Sequence, residues 1–320
     1  MAARTSFTPL PYPNTSEGAP RKTGVEVEFS GLDTDETSKI VQTTLGGTRE
    51  GDDPFCRDIV GTTIGDITVE LDTPATKASD NTLVRKGLDV AAAVVPLEII
   101  TQPLDLDELA TFDAFLPKLR REGAEGSRSG ALLGFGVHLN PEVVSTTDAH
   151  TMNTIRAYGL LEDYLRQLEK LDLTRRMLPF VSPWPDAFTS DILDPGVETL
   201  EDLIPVTARH ITSRNHGLDL LPLLKFAHPE VFEQCFADMN TKARPAYHFR
   251  LPDCRIDEPQ WTLMQPWALW LLVETVAAHP EAMADLSAAW RDRQTDLLNR
   301  QSWADETAAV LHKHDLEPAA

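Results

Sequence analysis

Apolar and polar positions alternate with a period of two in the first half of the chain and follow a helical period in the second. Strands are predicted at 24–30, 56–60, 66–72, 94–100, 135–140 and 246–251, with a further strand near 41–45 turned at Gly46-Gly47. A helix is predicted at 105–122, where Asp105 or Asp107 can cap and Leu109, Phe112, Phe115, Leu116 and Leu119 form an apolar stripe. Another fits 148–170, with Ile155, Tyr158, Leu161, Leu165 and Leu168 on one side. Shorter helices fit 199–210 and 229–239, a longer pair fits 262–278 and 281–299 around His279-Pro280, and a last helix fits 302–314. Strands followed by helices, with few β-α-β alternations, predict an α+β fold on an antiparallel sheet. The first 22 residues, rich in Pro, Ser and Thr, read as a disordered tail before a single domain at 23–320, of which 262–320 is helical.

The residues that alternate with the apolar ones carry the chemistry. Val25, Val27 and Phe29 share one face of the first strand, so Glu26 and Glu28 share the other. The same split groups Glu70 with Asp72, His138 with Asn140, and His248 with Arg250. Glu98 is the lone ionisable residue in the apolar stretch 95–101. An ordinary half-solvated sheet accounts for any one of these strands. Glu26, Glu28, Glu70, Asp72 and Glu98 supply five acids with no Lys or Arg on those same strand faces, and crowded like charges are unfavourable without a counter-ion. Carboxylates with one His and an Asn suit a hard divalent cation such as Mg²⁺.

Composition narrows the function further. The 320 residues carry 50 Asp and Glu against 29 Lys and Arg, a formal net charge of −21. That excludes a general nucleic-acid binder and electrostatic docking on an anionic membrane, but not a nucleotide held by a few local Arg residues. Cys56, Cys235 and Cys254 are odd in number and far apart, which predicts no disulfide framework and a cytoplasmic protein. No apolar run is long enough to span a membrane.

The segments G-V-E-V-E-F at 24–29, V-E-L-D at 69–72, P-L-E-I-I-T-Q-P at 96–103 and G-F-G-V-H-L-N at 134–140 resemble the amidoligase family. That family sits in the carboxylate-amine ligase superfamily with glutamine synthetase and gamma-glutamylcysteine synthetase. The resemblance covers roughly 24–255. It implies a glutamine-synthetase-like antiparallel sheet curved around ATP and Mg²⁺, with helices packed on the other face. It also implies ATP-dependent amide or peptide-like bond formation between a carboxylate and an amine, each a small molecule or a peptide. By the same analogy Glu26, Glu28, Glu70, Glu98 and His138 hold metal. Arg250, in H-F-R, resembles a late strand that commonly reads E-F-R, so His248 stands where the family places an acid.

An anionic pocket repels ATP, so cations are needed beside the carboxylates. Arg214, Lys242, Arg244, Arg250 and Arg255 are available, and the planar fork of Arg suits phosphate. Arg250 and Arg214 are the candidates for acting on the transferring phosphoryl group, and Asn140, Arg244 and Arg255 for holding nucleotide. Asn215 joins Arg214 in a polar patch before Leu218, whereas Arg209 reads as structural and Gly217 as a helix C-cap. Gly-rich 123–130 lacks the ending of a P-loop and reads as a helix-to-strand connection or a flap. Ser182-Pro183-Trp184-Pro185 reads as a surface turn, Trp261, Trp267 and Trp270 as helix packing, Cys254 as structural, and His150, His228, His279, His312 and His314 as caps or surface residues. Two other functions fit the same residues: a metal-dependent hydrolase without nucleotide, and a catalytically silent binding protein of the same fold, which the missing acid at His248 favours.

Overall fold

The computed structural model describes residues 6–71, 96–127, 134–169, 181–293 and 300–317. Its centre is a six-stranded, entirely antiparallel sheet of order β2-β3-β4-β5-β1-β6. The strands are β1 (Thr23–Phe29), β2 (Thr48–Glu50), β3 (Cys56–Thr62), β4 (Gly65–Leu71), β5 (Leu97–Thr101) and β6 (Val137–Pro141). Ten helices accompany it among the described residues. They are α1 (Thr34–Leu45), α2 (Leu106–Glu122), α3 (Ala149–Glu169), α4 (Asp186–Ile192), α5 (Leu200–His210), α6 (Leu221–Ala227), α7 (Pro229–Phe236), α8 (Met264–Ala277), α9 (Pro280–Asp292) and α10 (Arg300–Lys313). The fold is α+β, as the pattern predicts.

The period of two sends Val25, Val27, Phe29, Ile67, Val69, Leu97, Ile99, Val137 and Leu139 into a continuous buried core. Helix α1 packs on β3 and β4, and α8 and α10 pack on α3. Asp105 is the N-cap of α2, accepting from the Asp107 and Glu108 amides in a capping box. None of the described helices is long and apolar enough to cross a membrane.

The predicted strand at 41–45 is instead the last turn of α1. A capping box between Asp33 and Glu36 starts that helix, and Thr37, Ser38, Val41 and Leu45 form its buried stripe. Gly46 and Gly47 follow at positive φ, and a Cβ on Gly47 would meet the Val60 carbonyl oxygen at 2.8 Å. The strand predicted at 246–251 is present as an extended segment without regular ladder length. It continues the sheet past β6: the amides of Tyr247, Phe249 and Cys254 donate to Pro141, Leu139 and Phe135. Residues 217–219 then pair with its far edge, through Arg250 N to Gly217 O at 2.7 Å and Asp219 N to His248 O at 3.0 Å. Gly217 is therefore a close-approach position rather than a helix C-cap, and an added Cβ would lie 2.2 Å from the Tyr158 hydroxyl.

The N-terminal segment from residue 6 to 22 is not a disordered tail. Phe7 and Leu10 are buried, Trp267 Nε1 donates to the Thr8 carbonyl at 2.9 Å, and Asn14 bridges to Pro20. Arg21 anchors the segment with a bidentate pair to Glu274 at 2.8 and 2.7 Å and further bonds to the Tyr12 and Glu142 carbonyls. Glu274 also accepts from Trp270 Nε1 at 2.9 Å and lies 3.3 Å from His150 Nε2. His150 is thus a buried member of this network rather than a cap or surface residue. Burial would raise the Glu274 carboxyl, but the bonds and charges of Arg21 and His150 hold it below the usual range. Trp184 is likewise buried, its indole N–H on the Leu218 carbonyl, so 182–185 is not a surface turn.

Removing one partner of a buried ion pair strands the other charge. Glu274→Ala is expected to lower unfolding free energy by about 3–5 kcal/mol. Urea unfolding of both proteins checks this, and an unchanged midpoint would contradict it.

Candidate active site

Strand register builds the site. Glu28 stands directly opposite Glu98 on β5, and Glu98 stands opposite Glu70 on β4. On the other flank Glu26 stands opposite His138 on β6. The alternation that hides the valines thus lines three glutamates across adjacent strands and sets an imidazole beside a fourth. This face is not half-solvated: Glu26, Glu28, Glu98, His138, Asn140 and His248 are all buried. A row of buried, mutually repelling carboxylates is a costly arrangement that a purely structural sheet has no reason to keep.

Glu26 is the hub. Its Oε2 lies 2.9 Å from His138 Nδ1 and 3.7 Å from His248 Nε2. Its Oε1 accepts from Asn140 Nδ2 and from the Arg244 guanidinium, both at 3.0 Å. Glu28 Oε2 accepts from the Gly136 amide at 2.6 Å, while its Oε1 lies 3.5 Å from His138 Nε2. Glu98 Oε1 is 3.8 Å from His138 Nδ1. His248 Nδ1 is 3.4 Å from Asp219 Oδ2, which also accepts from Arg214 Nε at 2.8 Å. The two imidazole rings meet edge to face with centroids 5.3 Å apart.

Burial opposes ionisation of Glu26, but the hydrogen bond to His138 and the nearby His248 ring outweigh it and hold the carboxyl well below the usual carboxylate range. Burial, against the pull of Glu28 and Glu26, lowers the pKa of His138, so the ring is neutral at neutral pH. A neutral imidazole has one N–H. Both nitrogens of His138 face carboxylate oxygens, and so do both nitrogens of His248. In the neutral form of His138, one lone pair therefore points at an anion with no proton between them. His248 Nε2 and Asn140 Oδ1 are buried and have no hydrogen-bond partner among the described residues.

A divalent cation resolves that mismatch. One donor atom each from Glu26, His138 and His248 lie within 4.8 Å of one another, and so do donors from Glu28, Glu98 and His138. A cation that holds ligands at about 2.1 Å places adjacent donors about 3 Å apart and opposite ones about 4.2 Å apart, so small side-chain movements would bring either group to that spacing. His138 belongs to both. Asp219 steers the His248 ring as second-layer carboxylates steer metal-bound imidazoles.

The remaining expected residues divide by position. Arg244 touches Glu26, and its side chain keeps 42% of its exposure, so it can also meet a solvent-side ligand. Arg214 is held by Asp219, and Arg250 Nη1 donates to the Arg214 carbonyl at 2.7 Å, so both lie behind the His248 side of the cluster. Arg255 reaches Gln265 at 2.8 Å, with Glu169 and Glu258 near 4 Å, and its partners lie outside both groups. Lys242 is exposed. Glu70 shares the face but lies beside the Cys56 thiol at 4.0 Å and belongs to neither group. Asp72 lies outside the described residues, as do residues 128–130 of the Gly-rich stretch. Asn215 meets Ser182 through its backbone carbonyl, and Arg209 pairs with Asp191 on the surface.

Sequence reasoning places His248 on the right face, where the family has an acid and a His could ligate instead, but it omits Asp219. The signal for Asp219 is the one that marks Glu98: a single acid in an apolar run, here Leu218 to Leu224. Burial alone would raise the Asp219 carboxyl, but the bond to His248 and the charges of His248, Arg214 and Arg250 bring it down to about 2. A depressed carboxyl stabilises the fold above its unfolded pKa and loses that contribution as pH falls. In metal-free protein, Asp219 is expected to contribute about 2 kcal/mol above pH 5 and to lose it as pH falls from about 4 towards 2. Asp219→Asn should flatten that acid limb in chelator-treated protein; an unchanged pH profile of unfolding would refute the assignment.

The chain matches no curated protein and no solved structure. It does match the family described as "Putative amidoligase enzyme" over residues 19–272, a span that takes in the whole sheet, both donor groups and the first part of α8. The four segments that resemble that family form or flank the face just described, and the matched span covers well over half of the sequence. The chain therefore belongs to the amidoligase family.

Proposed function

We propose that this protein is an ATP- and Mg²⁺-dependent carboxylate-amine ligase. The observation that supports the reading most is the pair of carboxylate–imidazole groups sharing His138 on one buried sheet face, in a chain of the amidoligase family. Glu26, Glu28, Glu98 and His138 would hold the divalent cations, Mg²⁺ among them, with Glu70 next in line on β4. Bound there, Mg²⁺ supplies charge neutralisation to phosphate oxygens.

The rest is work for the chain's own groups. A carboxylate is a poor electrophile, so its oxygen takes the γ-phosphoryl group of ATP, breaking the bond to ADP and forming an acyl phosphate. The amine nitrogen then attacks the acyl carbon, phosphate leaves, and the amine gives up its protons to solvent or a nearby base. Arg244, half exposed beside Glu26, and Arg250 and Arg214, behind His248, would offset the phosphate charge. The Asn140 carbonyl oxygen, which has no partner among the described residues, would accept from a bound group. The acid and the amine are small molecules or peptides.

A metal-dependent hydrolase is the second reading, and the two-His, one-carboxylate composition of Glu26, His138 and His248 favours it, because hydrolytic zinc sites use such ligands. Thermal unfolding with Mg²⁺, ATP and both together separates the two. The ligase reading expects ATP to raise the midpoint only in the presence of metal. It also expects ADP release from a panel of acids and amines that Glu26→Gln with Glu28→Gln reduces roughly a hundredfold or more. ATP with no effect at saturating metal would leave the hydrolase, and full turnover in the double variant would overturn the site.

A further inference from the structure

The two donor groups differ in chemistry. Around Glu28 and Glu98 the donors are carboxylate oxygens with His138 alongside; around Glu26 they are two imidazoles and one carboxylate. Mg²⁺ takes oxygen ligands and dehydrates reluctantly, whereas imidazole nitrogen suits first-row transition dications. His248, only 8% exposed, has Nε2 aimed at Glu26 with no hydrogen-bond partner among the described residues. Its other nitrogen lies against Asp219, which Arg214 holds in turn. That is how a metal-bound imidazole is oriented: one nitrogen on a carboxylate, the other on the ion. His138 can do the same, with Nδ1 toward Glu26 and Nε2 toward Glu28.

We propose that the two positions select different cations. The Glu26–His138–His248 position takes a transition dication of the Zn²⁺ or Co²⁺ class, and the Glu28–Glu98 position is left to Mg²⁺. The Mg²⁺ half rests on the ligase reading; the transition-metal half rests on the donor atoms alone. His248 is then the residue that sets metal identity, and a Glu in its place would return the position to an oxygen-rich, Mg²⁺-type site.

The test uses the full chain stripped with chelator, with no nucleotide, acid or amine present. Zn²⁺ affinity is measured by competition with a chelating dye and Mg²⁺ affinity by calorimetry. Any protein site prefers Zn²⁺ to Mg²⁺ to some degree, so the informative quantity is the change in the affinity ratio. His248→Glu is expected to reduce the Zn²⁺:Mg²⁺ ratio by about 10- to 100-fold, and Glu26→Gln to weaken Zn²⁺ binding by a similar factor. An unchanged ratio in His248→Glu, or unchanged Zn²⁺ binding in Glu26→Gln, overturns the proposal. Should His248→Glu fail to fold, His248→Gln loaded with Co²⁺ serves instead: loss of one nitrogen ligand should alter the visible absorption band, and a spectrum identical to wild type is contrary. Because nothing here depends on turnover, a failed ligase assay leaves this result standing, and a failed titration leaves Mg·ATP dependence to be judged separately.

Discussion

The Glu26 carboxylate is the constraint around which this structure is arranged. Its two oxygens face Asn140 and Arg244 on one side and His138 and His248 on the other. Those residues come from β6 and from the segment at 244–250, more than a hundred and more than two hundred residues away in sequence. A buried carboxylate without such partners would cost several kcal/mol, so the segment after Arg244 must lie against β6 for the fold to tolerate Glu26 at all. The amide bonds of Tyr247, Phe249 and Cys254 to β6 hold it there, and residues 217–219 close its outer edge.

Two buried ionic networks in the same molecule show contrasting designs. Around Glu274 the charges are matched and the acceptors filled: Arg21 donates twice, Trp270 once, and His150 stands alongside. That network joins the N-terminal segment to α8 and leaves the carboxylate no call for a further ligand. Around Glu26 and Glu28, His248 Nε2 and Asn140 Oδ1 have no hydrogen-bond partner among the described residues. The first network serves architecture. The second holds donors in place for something the chain does not itself contain, which is the physical meaning of a candidate site here.

Much of this was legible in the linear pattern. Alternation in β1 and β6 separates Glu26, Glu28, His138 and Asn140 from the core residues between them, and the isolated Glu98 marks itself by its apolar surroundings. The helix at 41–45 was misread because its evidence lies upstream, in the Asp33–Glu36 capping box, and not in the residues themselves. The N-terminal segment was misread because Pro and Ser content describes local stiffness and polarity, whereas its order comes from Arg21 finding Glu274.

By itself, then, the sequence determined which side chains share a face of each strand, because the period of two is a local property of extended backbone. Only the tertiary structure decided which strands are neighbours and in what register. Register sets Glu28 against Glu98 and Glu26 against His138, and the close approach at Gly217 seats Asp219 behind His248. Those pairings depend on contacts between residues distant along the chain, and no local pattern of hydrophobic and polar positions encodes them.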